Sequence, residues 1–212
     1  MNNRFLLILI SCIIVLGGIF FITKNNKDDT ASTGQGTASQ HVTGKTDSKV
    51  VLVEYGDFEC PACAAYFPIV SQIKTDYKDK IAFQFRHFPL VQIHQNAMAS
   101  SRAAEAAGKQ GKFWEMHDLL YSQQDAWAKS SNATAIFEDY ATQLGINVDQ
   151  FKTDSASSAV LDTINADVRE GQKLNVTGTP TFVLNGTVIT ETPQTYEAFA
   201  KIIDEEINKQ PN

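Results

Sequence analysis

Cys60-Pro61-Ala62-Cys63 places two thiols three residues apart. On a helix that spacing brings both side chains to one face, where a disulfide can form and break by thiolate exchange. Val50-Val51-Leu52-Val53 reads as a buried strand, and Gly56 and Cys60-Pro61 after it read as a turn into a helix. Cys60 then falls at the helix N-terminus, where unpaired amides and the helix dipole favour a thiolate. Cys60 is therefore the expected nucleophile and Cys63, farther into the helix, the resolving thiol. Pro61 suits the first turn, which needs no amide hydrogen. The competing reading of a lone C-x-x-C is a metal half-site or an inert disulfide. A zinc site needs four donors, and the third cysteine, Cys12, lies in a distant apolar run. His87 and His94 would have to complete such a site, but both are expected to flank loops or pack locally, so no metal is assigned.

Two further features point toward the thiols. Glu54 stands at the end of the apolar strand, six positions before Cys60. A buried carboxyl there would have a raised pKa and could exchange a proton with Cys63, whereas an exposed edge residue would do neither. Thr179-Pro180 immediately precedes the segment Thr181 to Leu184, which reads as a strand. A cis bond would fit the proline there and leave the Thr179 backbone to pair with an extended substrate. An ordinary trans turn is the alternative.

These residues need a scaffold. Ile81 to Arg86 alternates as a second strand, and Thr181 to Leu184 and Thr187 to Thr190 flank Asn185-Gly186 as a hairpin. Helical spacing marks Ala64 to Tyr77, with Pro68 expected to kink it, and a last helix over about 194–208. From about His94 to Arg169 the pattern is helical throughout. The order is an α/β, thioredoxin-like arrangement with an inserted helical domain, spanning 50–212.

The chain has 212 residues, 43% of them hydrophobic, enough for one ordinary domain. All of its 24 acidic residues, and every basic residue except Arg4, lie after residue 23, which argues against a nucleic-acid partner. Phe5 to Ile22 carries no charge, and as a helix it would span about 27 Å, so residues 1–23 read as a transmembrane segment or signal anchor. Cleavage, or lipidation at Cys12 in Leu9-Ile10-Ser11-Cys12, is the alternative. Residues 24–49, rich in Gly, Ser, Thr and Asn, read as a flexible linker in which His41 is merely solvated.

FECPAC at 58–63, RHFPL at 86–90, EAAGKQGKFWEMHDLLY at 105–121 and VTGTPTFVLNG at 176–186 together resemble the DsbA-like family of the thioredoxin superfamily. The resemblance implies a thioredoxin fold with a helical insertion, nucleophilic Cys60, resolving Cys63, and cis-Pro180 with Thr179 docking substrate. Glu54 takes the family's buried-acid position. It also implies an extracytoplasmic dithiol oxidase that acts on reduced, unfolded exported proteins. Its expected reoxidant is a membrane quinone-linked partner of the DsbB or VKOR type, and the redox-active disulfide is the only cofactor. The expected location is the cell membrane, single-pass, with the chain monomeric. Ala62 stands where the best-known strong oxidant has His, so a milder oxidant is expected. A reductase or isomerase of the same fold, and a copper-binding thiol chaperone, are the alternatives.

Overall fold

A computed structural model describes residues 36–210 of the chain. The expected membrane segment, its alternatives at Cys12, and residues 24–35 of the expected linker lie outside the described residues. Among the described residues no helix is long and apolar enough to cross a membrane.

The elements run β1 (His41–Gly44), β2 (Val51–Gly56), α1 (Pro61–Asp76), β3 (Ala82–His87), α2 (Ala97–Gly108), α3 (Phe113–Ser122) and α4 (Gln124–Trp127). They continue with α5 (Ala133–Gln143), α6 (Val148–Ala156), α7 (Ser158–Lys173), β4 (Thr181–Leu184), β5 (Thr187–Val188) and α8 (Tyr196–Lys209). One sheet of order β1-β3-β2-β4-β5 forms, with β2 and β3 parallel and the other pairs antiparallel. The β2–α1–β3 crossover is the unit that sets Cys60 at the end of a central strand.

Alternation along β2 sorts its residues between two faces. Leu52 packs with Val70, Ile73, Phe182 and Phe199 beneath α1 and α8. Tyr55 on the opposite face joins Phe88, Val176 and Val183, with Val168 of α7 against them. Glu54 shares the Leu52 face. The third cluster is the core of the inserted helices, Trp127, Phe137 and Phe151 among them, and it runs without a break into Phe58, Cys60 and Cys63. The insertion is therefore packed into the site. Between β4 and β5, Asn185 and Gly186 both take positive φ, 47° and 81°, as a tight hairpin requires. Helix α1 runs through Pro68 as one 16-residue element.

The expected start of the fold at Val50 is corrected. His41–Gly44 pairs antiparallel with β3, adding an edge strand from the segment read as a flexible linker. Its anchors are polar and distant in sequence. The Ser39 amide and hydroxyl donate to the Asp167 carboxylate at 2.8 and 2.6 Å, and Arg86 donates to the same group at 2.8 Å. His41, expected to be solvated, stacks on Phe113 with ring centroids 3.4 Å apart and bonds Glu105 at 2.7 Å.

Candidate active site

The site grows from the turn between β2 and α1. Phe58 is wholly buried against Phe85 and Tyr121, pinning the turn to the helical core. The carboxylate of Asp57, also wholly buried, accepts from the Glu59 amide and the Leu90 amide, each at 2.9 Å, and from His94 Nδ1 at 2.6 Å. One acidic side chain thus ties the cysteine turn to the loop after β3. Gln124 of α4 closes the other side, donating to the Phe58 carbonyl at 2.7 Å and the Cys60 carbonyl at 3.1 Å. Burying such groups is tolerable only because each is bonded.

Cys60 is the N-cap of α1, Pro61 opens the helix, and Pro61 and Ala62 are exposed. Cys60 keeps 6% of its surface and Cys63 none, so only the first sulfur can meet an incoming thiol. The Cys63 thiol beside it pulls Cys60 down to about 5, against the cost of burial, helped by Thr179 and the amides of Cys63 and Ala62. Burial pushes Cys63 well up, as do the neighbouring Cys60 sulfur and Glu54, and the Asp57 amide opposes them only in part. The two thiols are thereby split into a ready thiolate and a protonated reserve.

Glu54 is 2% exposed in the central strand, with Phe85 and Phe182 as cross-strand partners. The strand runs two residues beyond it, so it sits inside the strand and not at its end or on a sheet edge. Burial raises it to about 8, the charge on Lys74 opposing and that on Cys60 adding. The Thr179-Pro180 bond is cis, and the Thr179 carbonyl lies 3.4 Å from the Cys60 sulfur. The two cysteines, Glu54 and the Thr179-Pro180 pair therefore converge on one end of the sheet. Nearby, Val91 (47% exposed) and Ile93 (73%) are the exposed large hydrophobic side chains of the described residues. Ile93 and His94 line a groove of about 460 Å³ with Glu59, Pro61 and Gln124.

Asp57, Gln124 and Tyr121 were not singled out from sequence. Asp57 had a local signal, a carboxylate three residues before a helix N-cap, whereas the other two reach the site only through the fold. Among the described residues the one group of donors close enough to hold a metal ion is His41, His87 and Glu105, with ligand atoms within 4.8 Å of one another. Hydrogen bonds already account for it. Both imidazoles meet one Glu105 oxygen at 2.7 and 2.8 Å, and these contacts outweigh burial in holding Glu105 at about 2.

A family model described as Thioredoxin matches residues 36–205. The "Na(+)/H(+) antiporter NhaA 1" of Salinispora arenicola is 41% identical over 146 residues, 69% of this chain, but the chain spans only 22% of that protein's length. "Probable disulfide bond formation protein D" of Bacillus cereus is 30% identical over 209 residues, covering 94% of each chain. Among solved structures, oxidised BdbD from Bacillus subtilis superimposes with a TM-score of 0.70 at 26% identity, over 82% of this chain and 97% of that one.

Proposed function

This chain belongs to the DsbA-like thiol–disulfide oxidoreductases of the thioredoxin superfamily, and within that family we propose that it is a dithiol oxidase, donating the Cys60–Cys63 disulfide to exported proteins as they fold. The observation that carries this reading is the asymmetry of the two thiols: Cys60 held down to about 5, Cys63 buried and raised. A stabilised Cys60 thiolate favours the reduced enzyme, and an enzyme that prefers to be reduced gives its disulfide away.

A substrate thiolate attacks the Cys60 sulfur along the bond to Cys63. That bond breaks, and its electron pair goes to the Cys63 sulfur, which takes the proton of Glu54, still protonated at neutral pH because its pKa is about 8. A second substrate thiol, as thiolate, attacks the substrate sulfur of the mixed disulfide. Cys60 leaves as a thiolate, a good leaving group because its pKa is low. The substrate has gained a disulfide and the enzyme two reduced sulfurs. Thr179, at the open end of β4, offers its backbone to an extended chain held over Cys60.

Disulfide donation needs an oxidising compartment, which favours placing the domain on the extracytoplasmic side of the cell membrane, tethered through residues 5–22. A quinone-linked membrane partner of the DsbB or VKOR type would then restore the disulfide.

Mixing the oxidised full chain with a reduced, unfolded protein in the absence of glutathione is expected to transfer one disulfide per chain, read by alkylation and mass spectrometry. A substrate that stays reduced, while a small thiol still opens the disulfide, would withdraw the oxidase reading in favour of a reductase or isomerase.

A further inference from the structure

Tyr121 of α3 carries a buried hydroxyl with no hydrogen-bond partner among the described residues. Such a group is costly to the fold if nothing ever bonds it. Its position is informative. A Cβ added to Gly56 would lie 2.8 Å from this oxygen, so the hydroxyl rests where a Gly56 side chain would be, on the face of β2 that Glu54 shares. The next amide, that of Asp57, faces the Cys63 sulfur. The hydroxyl and the buried sulfur therefore lie against the same peptide, Gly56–Asp57, and Tyr121, Phe58 and Cys63 belong to one packed cluster. Burial first, and then the charges of Cys63 and Glu54, hold the phenol well above its ordinary range, so it stays a donor at any working pH. Cys63, for its part, becomes an anion only while the disulfide opens.

We propose that Tyr121 is a further residue of the exchange reaction, its hydroxyl donating a hydrogen bond, directly or through one water, to the Cys63 sulfur as it leaves. No proton is transferred from the phenol. The incoming thiolate forms its bond to Cys60, the Cys60–Cys63 bond breaks, the electron pair settles on Cys63, and Glu54 supplies the proton. The hydroxyl stabilises the charge in between and has no anion to stabilise once Cys63 is a neutral thiol. The inference rests on thiol exchange at Cys60 and Cys63 but not on the direction in which the enzyme works.

The test uses the full chain with Cys12→Ser. Opening of its disulfide by a small monothiol is timed from pH 5 to 9, with and without Tyr121→Phe. The variant is expected to open about tenfold more slowly, a barrier increase of about 1.4 kcal/mol, while its melting temperature holds or rises. Alkylation of Cys63 in a Cys60→Ser background separates this role from a packing role. Loss of the hydrogen bond should slow alkylation about tenfold, whereas loosened packing would expose the sulfur and speed it. Should Tyr121→Phe not fold, 3-fluorotyrosine at this position, a stronger donor, should speed both reactions. Equal rates for parent and variant would overturn the role of Tyr121 alone. A parent disulfide that no small thiol opens would sink the exchange reading, and this inference with it.

Discussion

Cys60→Ser abolishes oxidation of a reduced, unfolded protein to the uncatalysed rate, whereas Cys63→Ser leaves a chain that accumulates mixed disulfides through Cys60. The contrast follows from exposure and charge. Cys60 holds the only sulfur of the pair at the surface and the only one that is a thiolate at neutral pH, its pKa lying at about 5. A serine oxygen there can neither form nor receive a disulfide. Cys63, wholly buried and kept protonated, acts only from inside, on whatever is bonded to Cys60. Without it, a mixed disulfide has no internal route to resolution. Mass spectrometry of the trapped species after mixing with oxidised glutathione distinguishes the two variants. Equal trapping through either cysteine would contradict the assigned roles.

Glu54→Gln separates stability from catalysis with opposite signs. The parent carboxyl has a folded pKa of about 8 against an unfolded value of 4.5. Below pH 4.5 both states are protonated and the group leaves stability untouched. As pH rises from 4.5 through 8 the unfolded chain loses the proton first, so stability falls across that window by several kcal/mol, on the order of 3–5. Cys60 runs the other way: its thiol is lowered in the folded state, so the reduced form gains stability between about pH 5 and 9. Comparing variant with parent removes that shared contribution. Glutamine cannot ionise, so the variant should equal the parent near pH 4 and exceed it by several kcal/mol at pH 8, by thermal or denaturant unfolding. Its disulfide should nevertheless open about 10²-fold more slowly at neutral pH, having lost the internal proton source. A variant as fast as the parent would remove Glu54 from the reaction.

The site and the sheet around it were largely legible in the sequence, for local reasons. Cys60-Pro61 reads as a helix start because the residue types suit that turn, and Asn185-Gly186 reads as a hairpin because few other pairs take two positive φ values. The burial of Glu54 was open until the strand order showed β2 flanked on both sides, since one strand's sequence does not reveal its neighbours. What the sequence hid was held by distant polar contacts. Strand β1 has only Val42 as an apolar residue in HVTG, and its docking depends on His41 meeting Glu105 and on Ser39, just before it, meeting Asp167. The short helices α4 and α6 lacked enough turns to show periodicity. Gln124, on α4, was missed for that reason although it holds the turn before Cys60.

The most direct measurement is the reduction potential of the Cys60–Cys63 pair. The full chain with Cys12→Ser, which retains β1, is equilibrated at defined glutathione ratios, and both thiols are quantified by alkylation. A value between about −120 and −180 mV is expected, in the range of disulfide donors and isomerases, because the Cys60 thiolate stabilises the reduced form. A value near about −270 mV would mean that the thiolate does not tilt the equilibrium toward the reduced form, and would contradict disulfide donation as the chain's role.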